Sequence, residues 1–307
     1  MNVSIRLGSL VLLLAFAACN KSTPPPPKAD AAAHASEIKS WRERRIASLT
    51  QPDGWLSVTG LFWLEEGRHT FGAGKSNDLV FPEGKAPEFI GTFVRKGNEV
   101  QIEIQPGIEV LADGKPVRKM ALKTDAAEDT TMLTLGSLTW YVIEREENRM
   151  AIRMRDSASP AIAAFQGIDS YPIDPSWRLE ARLELYNPPK TLSIPTIYGT
   201  VLEEPSPGAL VFEIKGQTYR LDYMPEGKDD FFVIFGDTTN QTETYQPGRY
   251  IYVKAPSAEG KTVIDFNQAY NPLCVFTAFA TCPLPPKQNK LPIPINAGEK
   301  RYSAHTG

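Results

Sequence analysis

Histidine and cysteine are the scarcest residues of this 307-residue chain. It holds three of each: His34, His69 and His305, and Cys19, Cys274 and Cys282. Common zinc centres need three or four such ligands close together, so no metal and no cofactor is expected. A Ser-His-Asp hydrolase would rest on His69 alone, which reads as a surface residue at a strand end. A basic excess is also missing. Lys plus Arg total 33 against 36 for Asp plus Glu, a net charge of -3, so no nucleic acid partner is expected. The apolar run at residues 7–17 falls short of the ~20 residues that span a bilayer. Strand–helix alternation is absent, which excludes a parallel α/β sheet, and no fixed-period repeat is visible.

Proline is abundant, at 26 residues, well above the usual ~5%, and argues for short strands and turns over long helices. Residues 1–18 read as a secretory signal, with Arg6 ahead of the apolar run. The signal ends in Phe16-Ala17-Ala18-Cys19, which resembles the lipobox of bacterial lipoproteins. That resemblance implies cleavage before Cys19 and lipid on its sulfur; an ordinary cleaved signal with a stray cysteine is the alternative. Asn20 stands where Asp would signal inner-membrane retention, which leans towards the periplasmic face of the outer membrane. The expected partner is therefore a membrane, reached through the lipid anchor. Residues 19–36, with Pro24-Pro25-Pro26-Pro27, read as a Pro/Ala-rich tether of polyproline II character. His34 falls in this tether, where no catalytic role is expected.

A helix is predicted over residues 36–49, because Ile38, Trp41, Arg45 and Leu49 share one face. Pro52-Asp53-Gly54 ends it. The hydrophobic period then changes to two. Strands are predicted at 55–64, 79–81, 91–95, 100–105, 108–111, 131–135 and 139–145, a spacing that suggests a small sandwich. From near Arg153 a second set follows, at 161–167, 177–186, 200–203, 210–215, 218–223, 231–236, 249–254 and 261–266. Lys215-Gly216-Gln217 is a tight hairpin candidate, and the last three strands read as a meander. The expected fold class is mostly β. Residues 37–150 form a helix plus sandwich, and 151–307 a second antiparallel β domain with a Pro-rich tail.

Gly72-Ala73-Gly74-Lys75-Ser76 has phosphate-loop composition. It lacks the first glycine of that pattern, and it precedes strand formers where a phosphate loop opens a helix. Phe71-Gly72, Asn77-Asp78-Leu79-Val80-Phe81, Asp113-Gly114-Lys115-Pro116-Val117 and Leu135-Gly136 instead resemble a forkhead-associated (FHA) domain over roughly residues 60–145. That family reads phosphothreonine with an Arg, a Ser and a His. Here Ala73 follows Gly72, and Pro87 and Ile90 or Gly91 stand where Ser and His belong. The resemblance thus implies the sandwich shell without its phosphate-reading side chains.

Two constellations remain. Cys274 and Cys282 read first as a disulfide in an exported chain, worth about 2–3 kcal/mol for so short a loop. Free structural thiols and a nucleophilic cysteine are the alternatives. If the meander holds, Asp237, Glu243, Tyr245, Arg249, Asp265, Asn267, Tyr270 and Asn271 gather at one end of the second domain. They could bind a small polar ligand or an envelope protein. They could also perform acid/base work, with Asp265 or Glu243 as base and Arg249 fixing an anionic group. A salt-bridge and turn-capping network is the third reading.

A wider pattern joins these stretches. Pro52-Asp53-Gly54-Trp55-Leu56, Gly60-Leu61-Phe62-Trp63-Leu64, Tyr171-Pro172-Ile173-Asp174-Pro175 with Trp177-Arg178, and Asp265-Phe266-Asn267 belong to it. So do Tyr270-Asn271-Pro272, Cys274, Cys282-Pro283-Leu284-Pro285-Pro286, Asn289 and Ala297-Gly298-Glu299-Lys300. Together they resemble the bacterial and archaeal domain-of-unknown-function family numbered 1684, over nearly all of residues 37–302. The resemblance carries no activity with it. The expectation is a lipid-anchored envelope protein acting as a noncatalytic binding or interaction module. A carboxylate-dependent hydrolase of a polar envelope substrate and a purely structural lipoprotein are the alternatives.

Overall fold

The computed structural model describes residues 28–257 and 260–302. The expected signal at residues 1–18, the lipidation candidate Cys19, the tether up to residue 27 and His305 lie outside these. A helix opens the described chain, Lys28–Thr50, and begins eight residues before the predicted start. Residues 28–36, expected as tether, are helical. Ala31, Ala32, Ala33 and Ala35 explain the extension, since alanine has the highest helix propensity. The helix buries His34, Ile38 and Leu49.

The first β unit is a sandwich. Its larger sheet runs, in spatial order, Val58–Leu64, Arg149–Asp156, Leu138–Arg145, Leu133–Leu135, Val110–Ala112 and Lys115–Val117. The other sheet runs Leu79–Val80, Gly67–Gly72, Gly91–Lys96, Glu99–Ile104 and Lys119–Leu122. Alternate residues of both sheets meet in one core around Phe71, Phe81, Phe93 and Trp140. The rings of Phe71 and Phe93 lie 4.4 Å apart, and those of Phe81 and Trp140 5.3 Å apart. Arg149–Asp156 pairs with both Val58–Leu64 and Leu138–Arg145. The first unit therefore closes after Asp156, and the expected boundary at residue 150 cuts through one of its central strands.

The second unit packs a four-stranded sheet, ordered Gln217–Asp222, Val201–Ile214, Arg178–Pro195 and Lys261–Asp265, with a three-stranded one, Met224–Glu226, Asp230–Phe235 and Arg249–Lys254. Phe212, Leu221, Phe235, Ile251, Ile264 and Phe266 are buried between them. Lys215 and Gly216 both have positive φ, 53° and 77°, and join Ile214 to its partner Gln217. That is the predicted tight hairpin, twisted as a two-residue turn requires.

Two expectations fail here. Residues 161–167 are not a strand: Ser159 caps a short helix, Pro160–Ala164, by accepting from the Ala161 amide, and Pro160 at its first position suits a helix start. The last three strands are not one meander. Lys261–Asp265 leaves Arg249–Lys254 and pairs with Arg178–Pro195 in the other sheet, where Lys261 meets Glu180 at 3.1 Å in a favourable cross-strand charge pair. The long hairpin of Arg178–Pro195 and Val201–Ile214 also reaches back to the sandwich. At its tip Tyr198 packs edge-on against Trp63, 5.6 Å between centroids. The fold class is as expected: mostly β, an N-terminal helix followed by antiparallel sheets, with short parallel pairings between Gly67–Gly72 and Leu79–Val80 and between Gly236 and Lys290.

Candidate functional site

The predicted polar residues do gather, but around a segment of their own chain. Arg249 has no exposed surface. It donates to Asp237 Oδ2 at 2.8 Å and to the carbonyls of Ile295, Ala297 and Glu299. Asp237 Oδ1 accepts from the amides of Thr239 and Ile295, at 2.9 and 3.2 Å. Strand ends supply both residues: Asp237 follows Asp230–Phe235, and Arg249 opens the strand paired with it. A buried guanidinium needs a counter-charge and acceptors, and the tail at residues 295–299 provides three of those acceptors.

Asn271 binds the next part of the same tail. The Asn271 amide donates to Glu299 Oε2 at 2.7 Å, and its side chain to the Lys300 carbonyl at 2.8 Å. Glu299, 3% exposed, also accepts from Arg45 Nε at 2.6 Å. Arg45 lies 4.5 Å over the Tyr270 ring, so the helix seals this junction. Gly298 has φ +79°, and a Cβ there would lie 2.3 Å from the Ala269 carbonyl oxygen. Only glycine permits both that backbone and that approach. Glu243 sits on the rim, half-exposed, 3.3 Å from Lys300.

Asp265 and Asn267 form a separate knot. Asp265 Oδ1 accepts from the backbone and side-chain amides of Asn267, at 3.0 and 2.8 Å. Asn267 in turn exchanges bonds with the Asp174 backbone. Asp265 Oδ2 lies 2.5 Å from His34 Nε2. Sequence reasoning missed His34, because the proline run drew the tether too far. The alanine run at 31–33 is the signal that places His34 in a helix. Arg45 and Glu299 were visible only as a helix-face residue and a motif letter, and no periodicity connects positions 254 residues apart.

A concave surface lies beside this knot. A groove of about 1070 Å³ is lined by Asp174, Arg178, Glu180, Arg182, Glu213 and Lys215, among others. None of the predicted ligand residues lines it. Among the described residues no cluster of three or more His, Cys, Asp or Glu is placed to hold a metal ion.

The expected disulfide is not formed: Cys274 and Cys282 are both free thiols. They are nonetheless in contact. The Cys274 amide donates to Cys282 Sγ at 3.1 Å, and Tyr245 Oη lies 3.6 Å from Cys274 Sγ. The interaction of the two side chains lowers the Cys274 thiol and raises that of Cys282, which burial raises further. Tyr245, placed by sequence in a ligand site, instead serves this thiol pair, and burial pushes its phenol well above the ordinary range.

The tail, the thiol pair and the knot fall within one stretch of sequence. Residues 163–300 match the family model described as Protein of unknown function (DUF1684). The matched segment begins after the sandwich and takes in every predicted ligand residue and both thiols. The helix and residues 52–64, which joined the wider sequence pattern, lie outside it. Among solved structures, the chain is similar to an uncharacterized protein of Haloarcula marismortui determined by NMR in solution. The identity is 27%, covering 47% of this chain and 80% of that one, with a TM-score of 0.39. It is also similar to the FhaA FHA domain complexed with the intracellular domain of Rv3910, at 15% identity, 31% and 97% coverage and a TM-score of 0.22. A structure from a study of phosphothreonine-dependent FHA domain interactions is similar at 15% identity, 31% and 92% coverage and a TM-score of 0.22. No curated protein matches.

Proposed function

We propose that the chain is an exported, lipid-anchored envelope protein whose folded part is a noncatalytic binding module. Export and anchoring rest on the sequence of residues 1–19. The binding reading rests on one observation: the buried carboxylates are consumed by internal bonds, while the groove beside Asp174 is open and lined by charges of both signs. Asp237, Asp265 and Glu299 each hold their own chain together. An acid/base catalyst would instead present a desolvated carboxyl to a pocket. Arg178, Glu180 and Arg182 alternate with intervening core-facing residues along one strand, with Glu213 and Lys215 beside them, so the groove suits an extended polar segment of mixed charge.

The hydrolase reading has one contact behind it, His34 Nε2 at 2.5 Å from Asp265 Oδ2. Two experiments separate these readings. Replacing Cys19 by Ser should move the protein from the membrane to the soluble envelope fraction; unchanged membrane retention would count against the anchor. A photo-crosslinker at Lys215 should capture a partner that the Arg178→Glu/Arg182→Glu variant loses while keeping its melting temperature. Turnover of ester or phosphate-ester substrates that disappears in Asp265→Asn would replace the binding reading by the hydrolase one.

A further inference from the structure

We propose that Cys274 and Cys282 are a thiol–disulfide exchange pair acting on low-molecular-weight aliphatic disulfides, with Cys274 as the attacking thiol and Cys282 as the resolving thiol. The pair is separate from the groove and from the anchor. The Cys274 amide donates to Cys282 Sγ at 3.1 Å, which brings the two free thiols side by side. Their exposures differ: Cys274 is partly exposed, whereas Cys282 is 5% exposed. An exchange pair needs this asymmetry, because the first thiol must meet a substrate and the second must meet only the first.

The surroundings divide the roles further. Cys282 is held on both sides. Its carbonyl accepts from the Ile197 amide at 3.1 Å, and the next carbonyl, that of Pro283, accepts from Tyr250 Oη at 2.6 Å. Cys274 sits in the short turn Leu273–Val275. The Cys282 thiol is beside it, bonded to the Cys274 amide, and the Tyr245 hydroxyl is 3.6 Å from its sulfur. Both can donate to it, and both favour the thiolate. Cys274 is accordingly lowered from the ordinary thiol range despite burial. Cys282 is raised, first by its bond to Cys274, then by burial and by charge on Cys274.

The reaction balances with the substrate as oxidant. The Cys274 thiolate attacks one sulfur of R–S–S–R, the S–S bond breaks, and one RS⁻ leaves. Cys282 then releases its proton to solvent and attacks Cys274 Sγ in the mixed disulfide, expelling the second RS⁻. Two protein thiols are oxidised to one disulfide, and the substrate disulfide is reduced to two thiols.

The test uses the full chain, reduced and then exposed to oxidised glutathione, with digestion and mass spectrometry to assign each sulfur. The parent should form a Cys274–Cys282 disulfide and release two glutathione thiols from this pair, with any adduct on Cys19 counted separately by its peptide. Cys282→Ser should stop at one glutathione on Cys274, and Cys274→Ser should react about tenfold more slowly or less. Alkylation of the unmodified parent supplies a check free of any folding defect in the variants. Cys274 should label with a midpoint pH below that of an ordinary thiol at ~8.5, and Cys282 only after denaturation. The proposal is overturned if the parent forms no such disulfide, if Cys282 takes the first adduct, or if Cys274 labels like an unperturbed thiol.

Discussion

A guanidinium without exposed surface must find acceptors inside the protein, and Arg249 finds four of them, one on Asp237 and three on the C-terminal tail. Removing it leaves a buried carboxylate and three carbonyls short of a donor. Arg249→Ala should therefore destabilise the fold by about 3–5 kcal/mol, read from urea midpoints. Arg249→Lys should rescue little, since one ammonium cannot span the fork that reaches Asp237 and the tail together. Asn289 makes the same point without charge. Its side chain, 1% exposed, accepts from the Asp222 amide and donates to the carbonyls of Asp222 and Ile234. It thereby stitches one sheet to the other. Both residues stand out in the sequence, but sequence does not distinguish a ligand site from a clamp, because an Asp, an Arg and an Asn look alike whether their partner is a solute or a backbone carbonyl.

At the scale of elements, the helix is held by specific ends rather than by a broad apolar stripe. Arg45 bonds Glu299 and the Asn271 carbonyl, Arg42 bonds the Tyr171 carbonyl, and His34 meets Asp265. Burial pushes Arg42 below the usual arginine range, and Glu299 partly offsets this. Arg45→Ala should cost about 3 kcal/mol by stranding the buried Glu299 carboxylate, and Arg45→Ala/Glu299→Gln should recover part of it. A double-mutant cycle of melting curves checks this; simple additivity would sever the proposed link. Ile38 and Leu49 made the helix legible in sequence. Its true start was not, because four prolines suggested an extended spacer reaching past the alanines that continue the helix.

Across the whole molecule, many phenols are buried. Tyr171 is pushed up to about 12, chiefly by burial and then by the negative charge of Glu243. Tyr223 is raised by burial, and Tyr250 is raised chiefly by burial. Unfolded tyrosines ionise near pH 10. Above that pH the unfolded chain holds fewer protons than the folded one, so stability falls as pH rises. Urea midpoints should be flat up to about pH 10 with respect to these groups. They should then decline by about 1.4 kcal/mol per pH unit for each buried tyrosine, until its folded value is passed. Tyrosinate absorbance beyond that of the exposed rings, such as Tyr198 and Tyr252, should appear only with unfolding; ionisation of the full set ahead of unfolding would contradict the burial of these rings. The two units are also joined by side chains rather than by a shared sheet. Tyr198 on the long hairpin meets Trp63, and Thr277 Oγ1 donates to the Val58 carbonyl.

The sequence by itself determined what is local. Period-two alternation located most strands, glycine turns located the hairpins, and an apolar face located the helix, because each depends on neighbours a few residues apart. Composition reduced the chemistry to carboxylates, arginines, amides, tyrosines and thiols. The tertiary structure alone decided which strand pairs with which, as when Lys261–Asp265 crosses to the other sheet. It decided that the polar cluster encloses the chain's own tail, that His34 faces Asp265 across 231 positions, and that Cys274 and Cys282 meet as thiols. Each of these depends on a distance through space between segments far apart in sequence, and local pattern does not encode that distance.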